Sequence, residues 1–197
     1  RYKSRLGKDA EQFIGYAVEG VSRMKELIND LLEYSRLNTA KKPFSIVDPS
    51  LVLEKVMNNL QVTVKESNAR VTWGELPAFR GDFTQMVELF QNLISNAIKF
   101  NKQPVPEVHI AGEDRGEEFL FSVRDNGIGI EPQYQDRIFV IFQRLHNRDE
   151  YSGTGIGLTV CKKILERHGG RIWLESEFGK GSTFLFAIPK SQDGEPQ

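Results

Sequence analysis

The stretch VRDNGIGIEP, Val123 to Pro132, sets one carboxylate, Asp125, ahead of two glycines one residue apart, Gly127 and Gly129. Glycine lets a backbone turn tightly and lets a ligand come close to it. A tight turn after the strand-like EFLFS is the plainer use of the same residues. Two further turns share the pattern, GTGIGL (153–158) and GKGS (179–182). A P-loop would need glycine at Leu174 and a hydroxyl residue at Gly181, so GKGS fails twice. A dinucleotide fingerprint would need glycine at Leu158 and a preceding strand, and GTGIGL offers neither. What remains is a glycine-rich turn that opens a helix, whose outward amides and partial positive charge suit phosphate oxygens. A third group is Asn92, Asn96 and Lys99 in QNLISNAIKF, which helical spacing puts on one face. Leu89, Leu93 and Ile94 fall largely on the other side. Amide oxygens suit Mg²⁺, a hard cation that keeps several waters and borrows phosphate oxygens, and lysine suits phosphate charge. The alternative is a solvated polar face, against which the strongly apolar neighbours argue.

The elements that must hold these groups follow from periodicity. Phe13, Ala17, Val21, Met24, Ile28 and Leu31 form one apolar stripe and predict a long amphipathic helix at bundle-like spacing. The polar break NTAKKP (38–43) marks a domain boundary. Asp48 then caps a helix with Pro49 at its first position, and the pattern carries that helix on through Ser67. A strand at RVTW, a helix from about Phe83 to Phe100, and strands EVHIAGE and EFLFSVRD joined by a DRGE turn come next. No clean period holds from Glu131 to Ser152, a connection long enough to be functional. A helix from Thr154 to His168, stopped by Gly169 and Gly170, leads to strands RIWLES and STFLFAIP. The expected organisation is 1–40 as part of a helical bundle, 41–190 as an α+β two-layer sandwich with helices on one face of a mixed sheet, and 191–197 as a disordered tail.

The bulk numbers exclude several function classes. A net charge of −1 leaves no electrostatic footprint for nucleic acid or an anionic membrane surface. No apolar run approaches the ~18 residues of a membrane helix, so no membrane contact is expected from this segment. The single cysteine, Cys161, excludes an internal disulfide and any multi-cysteine metal site, and its helical context predicts a buried packing thiol. A reducing, cytoplasmic setting is expected, while the parent protein could be soluble or membrane-tethered.

With these residues in hand, the second part of the chain resembles the ATP-binding domain of two-component sensor histidine kinases, in the superfamily shared with gyrase, a heat-shock chaperone and mismatch-repair ATPases. NLISNAIKF is similar to the N box, DNGIGI to the first glycine box, IFVIFQR to the F box, GTGIGL to the second glycine box and GKGST to a third. Five ordered motifs over Phe44 to Pro189 make the signal specific. Residues 8–37 resemble the second helix of the dimerisation and histidine-phosphotransfer bundle, and IFQRLH, YSGTGIGL and ERHGGRIW resemble kinases attached to phytochrome and PAS-type sensors. The resemblance implies that Asp125 accepts a hydrogen bond from the exocyclic amine of adenine, with Gly127 and Gly129 letting the backbone pass close to the base. It implies that Asn96 ligates Mg²⁺, with Asn92 nearby and Lys99 toward the phosphates. It also implies that Arg144 reaches the γ-phosphate, that Gly153, Thr154, Gly155, Ile156, Gly157 and Leu158 wrap the phosphates, and that Thr183 supports the adenine end. Glu131 to Ser152 would be the ATP lid. The implied cofactors are ATP and Mg²⁺. The implied partners are a response-regulator receiver domain, an upstream sensor domain and a second copy of the full-length parent.

The family phosphorylates a histidine on the first bundle helix, and this chain has only His109, His146 and His168, none in such a context. His109 lies in a strand pattern, His146 in the lid, and His168 ends a helix where it can meet the dipole. The reading is a kinase fragment with its acceptor histidine expected roughly twenty residues upstream, about one bundle helix. Two other functions stand beside it. An ATP-hydrolysing relative would use glutamate at the position of Asn92, and an amide cannot take a proton at neutral pH. A non-catalytic nucleotide-binding regulatory module would explain the missing histidine, but leaves Arg144, Lys99 and the lid without a use.

Overall fold

Short polar caps and left-handed glycines divide this chain into its elements, and the computed structural model describes residues 8–39, 43–143 and 154–191. A 32-residue helix, α1 (Lys8–Thr39), comes first. Then follow β1 (Ser45–Val47), α2 (Pro49–Asn59), α3 (Gln61–Ser67), β2 (Arg70–Trp73), β3 (Phe79–Gly81) and α4 (Phe83–Lys99). The chain continues with β4 (Glu107–Asp114), β5 (Glu118–Asp125), α5 (Pro132–Gln135), α6 (Gly157–Arg167), β6 (Arg171–Glu177) and β7 (Gly181–Pro189). Asp48 caps α2 through a 2.8 Å bond from Ser50 N, with Pro49 at the first position where no amide is needed. Asp82 caps α4 by accepting from Thr84 N and Gln85 N.

One five-stranded sheet has the order β2-β4-β5-β7-β6, with β2 parallel to β4 and the other pairs antiparallel. Helices α2, α4 and α6 bury Val52, Leu53, Val56, Leu89, Phe90, Leu93, Ile94, Val160, Cys161, Ile164 and Leu165. These meet Val108, Ile110, Phe121, Val123, Phe184 and Phe186 of the sheet in one core. Phe121 and Phe186 stack at 5.2 Å between centroids, and Phe90 meets Phe186 edge-on at 5.5 Å. This is the expected two-layer sandwich, helices on one face of a mixed sheet.

The structure differs from the sequence expectation in three places. The helix from Pro49 breaks at Leu60 (φ −93°, ψ 7°) and restarts as α3. The restart carries Val62, Thr63 and Val64, β-branched residues of weak helix propensity, and the break keeps Leu60 buried. A small second sheet pairs β1 with β3, three residues each, too short for a sequence period to register. Helix α6 starts at Gly157 rather than Thr154, because Gly155 sits at φ +79°, outside right-handed helical space.

The stripe on α1 is not buried within this chain. Phe13 is 71% exposed, and Val21, Met24, Ile28 and Leu31 are exposed too. Leu27 and Tyr34, on a different line of the same helix, pack against the core beside α6.

His168 ends α6, as the sequence expects, and is a buried strut there. Its Nε2 accepts from Asp82 N at 3.0 Å, its Nδ1 lies 2.7 Å from Ile164 O, and its ring stacks on Phe44 at 4.4 Å. An imidazole that accepts at Nε2 and donates at Nδ1 is neutral. Burial depresses its pKa, with Arg167 adding to the effect and the Ile164 carbonyl and Asp82 opposing it.

Candidate functional site

Asp125 closes β5, and strand alternation puts it on the same face as Phe121 and Val123, the face that carries the core. Its carboxylate is therefore buried. Oδ1 accepts from Gly127 N at 2.8 Å and from Ser182 N at 3.1 Å. Burial pushes its pKa up, while these two amides pull the other way. Both amides bind one oxygen, so Oδ2 is left as the acceptor for a ligand donor. A buried, oriented acceptor of this kind fits the exocyclic amine of adenine.

The two glycines that follow meet protein rather than open space. A Cβ on Gly127 would lie 2.5 Å from Phe100 O, and one on Gly129 (φ +69°) would overlap the Glu177 carbonyl. Their lack of a side chain brings the turn against the end of α4 and against the β6–β7 hairpin. Ile128 fastens both ends: its N–H donates to Phe100 O at 3.0 Å, and its carbonyl accepts from Gly179 N at 2.8 Å. Asn126 holds the α4–β4 connection to the same turn. Its Oδ1 accepts from Asn101 Nδ2 at 2.6 Å and from Glu107 N at 2.8 Å, and its Nδ2 donates to Val105 O at 3.1 Å.

Asn92, Asn96 and Lys99 lie half-buried along one edge of α4, beside fully buried Leu93, Ile94, Ala97 and Ile98. Asn92 Nδ2 donates to Glu88 O at 3.0 Å, which turns Oδ1 toward the start of α6. A Cβ on Gly157 would lie 2.6 Å from that oxygen. The third glycine of GTGIGL is thus the residue that lets α6 begin against Asn92. Lys99 Nζ lies 4.5 Å above the Phe100 ring. Thr154 Oγ1 is 3.4 Å from Ile156 N. Ile156 is fully buried and Leu158 packs on the core, so these two have only main chain to offer a ligand. An amide oxygen at Asn96 suits a hard cation that also takes phosphate oxygens. Among the described residues no cluster of three His, Cys, Asp or Glu side chains could hold a metal. Arg144, Gly153, His146 and residues 144–152 of the expected lid lie outside the described residues, as do most of the 191–197 tail and residues 40–42 at the expected domain boundary.

Strand alternation sets Thr183 opposite Arg124 on the other face of the sheet, and it is Ser182, in line with Phe184 and Phe186, that meets Asp125. Ser182, Ser176 and Asn126 are the residues that motif reading passed over; the period of STFLFAIP already separates Ser182 from Thr183. Cys161 is buried, its Sγ 3.8 Å from Leu89 O, and burial raises the thiol far above its ordinary range, so it is no nucleophile. No helix among the described residues is long and apolar enough to cross a membrane.

The chain is 53% identical over 189 residues to cyanobacterial phytochrome A of Nostoc sp., covering 96% of this chain and 25% of that protein. It is 49% identical over 189 residues to the phytochrome-like protein Cph1 of Synechocystis sp., again covering 96% and 25%. The chain thus spans about a quarter of the length of these curated relatives. Among solved structures, the nucleotide-free catalytic domain of histidine kinase ThkA superposes with a TM-score of 0.65 at 27% identity, covering 76% of this chain and 97% of that one. Full-length ShkA in complex with AMPPNP gives a TM-score of 0.74 at 25% identity, covering 98% of this chain and 41% of that one. A family model described as histidine kinase-, DNA gyrase B- and HSP90-like ATPase matches residues 81–192, over half of the sequence, and the chain belongs to that family, as an ATPase domain of the histidine-kinase type.

Proposed function

We propose that this chain is the ATP-binding catalytic part of a sensor histidine kinase, which delivers the γ-phosphate of Mg²⁺–ATP to a histidine outside these residues for relay to a response-regulator aspartate. The observation that carries this is Asp125, a buried carboxylate whose Oδ1 is held by two backbone amides. In this reading Asp125 takes the adenine amine through Oδ2. Asn96 gives its amide oxygen to Mg²⁺, and Asn92 and Lys99 line the phosphate side. The start of α6, from Thr154 through Gly157, presents its main chain to the phosphates, continued by Gly153. Arg144 meets the γ-phosphate.

The acceptor assignment rests on the two described histidines. His168 uses both ring nitrogens inside the fold, and His109, on β4, has its Nδ1 3.0 Å from Thr72 Oγ1 on β2. Neither stands on α1, where a bundle acceptor would belong. The exposed stripe of α1 fits a bundle in which helices of a second copy cover it, and so a homodimeric parent. The family reading adds a sensor domain upstream and a cytoplasmic setting for this segment, in a parent either soluble or membrane-tethered. Residues 1–40 would then serve the bundle and 41–190 the nucleotide.

Titration with Mg²⁺–ATP and Mg²⁺–GTP tests the nucleotide half of the proposal: ATP must bind more tightly. Incubation with γ-labelled ATP and a chain carrying the complete bundle tests the transfer half. Acid-labile label must appear on the bundle histidine, and label on the present chain alone would refute the placement of the acceptor.

A further inference from the structure

The turn after β5 and the β6–β7 hairpin are joined by side chains that the reading above leaves unused. Ser176 Oγ lies 2.8 Å from Ile130 N, 3.0 Å from Gly181 O and 3.0 Å from Ser182 Oγ. A hydroxyl has one proton to give and two lone pairs. The Gly181 carbonyl can only accept and the Ile130 amide can only donate, so in the third contact the Ser182 hydroxyl is the donor. At the carbonyl end of the same residue, Gln135 Nε2 donates to Ile130 O at 3.0 Å and to Ser176 O at 3.1 Å. Both targets are carbonyls, which fixes the orientation of the Gln135 amide and uses both of its protons. The main chain of Ile130 is thereby gripped at two successive peptide groups, at its N–H by Ser176 and at its C=O by Gln135. Ser182 N in turn donates to Asp125 Oδ1 at 3.1 Å. Gln135 on α5 is therefore linked to the buried carboxylate through Ser176 and Ser182, with no step longer than 3.1 Å.

We propose that Gln135 and Ser176 are positioning residues for base recognition: by clasping the Ile130 main chain to the β6–β7 hairpin they steady Ser182 N on Asp125 at the end of the β5–β7 ladder and so aim its second oxygen. This rests on the reading of Asp125 as the adenine acceptor. One of the two amides on Oδ1, Gly127 N, is local to the turn. The other belongs to β7, whose antiparallel pairing with β5 runs to Thr183 opposite Arg124 and so sets Ser182 beside Asp125 at the end of the ladder, where the Ser176 hydroxyl meets Ser182 from the β6 side. Without the clasp the carboxylate keeps Gly127 and the strand pairing, and loses the side-chain contacts that steady Ser182 at the end of the ladder.

The test is a calorimetric titration of the whole chain with Mg²⁺–ATP and with the Mg²⁺ complex of purine riboside triphosphate, which lacks the exocyclic amine. Gln135→Met, which keeps length and loses both donors, must raise the Kd for ATP about fivefold, the order of one or two net hydrogen bonds, and leave the Kd for the purine analogue unchanged. Gln135→Glu, which keeps shape and sets acceptors against two carbonyls, must behave like Gln135→Met. Ser176→Ala must match them, and Ser176→Thr, which retains the hydroxyl, must restore ATP affinity. In an Asp125→Asn background the same changes must have little further effect. Equal weakening of both nucleotides, or an undiminished effect in the Asp125→Asn background, would mean that the clasp is only structural and would overturn the inference. An Asp125→Asn chain that binds ATP as the wild type does would instead overturn the acceptor reading itself, and this inference with it.

Discussion

Asp125→Asn separates the structural duty of this side chain from its proposed ligand duty. The structural duty falls on Oδ1, which accepts from Gly127 N and Ser182 N. An asparagine oxygen can accept both, so the fold keeps its contacts. Burial raises the pKa of Asp125, which means that the folded state disfavours the charge, and the neutral amide removes that penalty. The melting temperature should therefore hold or rise. The ligand duty falls on Oδ2, whose place is taken by an NH₂ group. That group sets a donor against the donor of adenine and removes the charge that strengthened the bond. A hydrogen bond to a charged group is worth about 1.5–3 kcal/mol, and an unmatched donor adds to the loss. The expected result in a Mg²⁺–ATP titration is a Kd raised between about tenfold and a hundredfold. Guanine presents an acceptor at the same place, so the preference for ATP over GTP should shrink as well. Unchanged ATP affinity in a variant that melts like the wild type would refute the assignment of Asp125 to the base.

Asn96→Ala should weaken nucleotide binding mainly when Mg²⁺ is present, and titrations with and without the metal should converge in the variant; a metal effect as large as in the wild type would remove Asn96 from the metal. Gly157→Ala puts a methyl 2.6 Å from Asn92 Oδ1, so either Asn92 swings away or α6 shifts; the variant should lose on the order of 1–3 kcal/mol of stability, read by denaturant unfolding, and bind ATP more weakly. His168 has its pKa depressed below 6.5 by burial, so the unfolded chain takes up its proton first as pH falls. Its contribution to stability is complete above about pH 6.5 and is lost as pH falls from there toward the lower folded value. Between pH 7.5 and 5.5 the urea midpoint should drop further in the wild type than in His168→Phe, which keeps the stack on Phe44 without titrating; parallel slopes would show that His168 is not the group responsible.

How much of this was legible in the sequence depended on whether a feature was local. The caps at Asp48 and the shared edge of Asn92, Asn96 and Lys99 are set by helical spacing, and they stand where spacing puts them. The alternation that buries Asp125 with Val123 and Phe121 also separates Ser182 from Thr183, so the contact of Ser182 with Asp125 was legible from strand register. Other features have no sequence period. The Gly157 approach to Asn92 joins α4 to α6, and the bond from Ser182 N to Asp125 joins two strands distant in the chain. The sequence shows His168 at a helix end, but nothing local announces that Asp82 N will occupy one ring nitrogen. The β1–β3 pair is three residues long on each side, below the length at which alternation can be told from chance.

The chemistry of the α4 edge separates transfer from hydrolysis more sharply than the fold does. Hydrolysis needs a group beside the γ-phosphate that takes a proton from water, and its pKa must lie within reach of neutral pH. The residue of α4 set against the start of α6 is Asn92, whose nitrogen is committed to Glu88 O and whose oxygen abuts Gly157. A carboxamide in that place can orient a phosphate or a metal-bound water, but it cannot hold the proton that hydrolysis releases. The same edge therefore suits phosphoryl transfer to a nucleophile that arrives with its own base, as positioning and charge neutralisation are most of what such transfer asks of the protein. Asn92→Asp is the converse experiment. It puts a carboxylate where the amide stands, at a spot held open by the absence of a Cβ on Gly157. If the amide is what withholds water chemistry, steady-state phosphate release from ATP should rise in this variant while binding changes little. If release stays at the wild-type level and the variant still binds ATP, the amide is not the element that suppresses hydrolysis, and the restraint must lie elsewhere in the site.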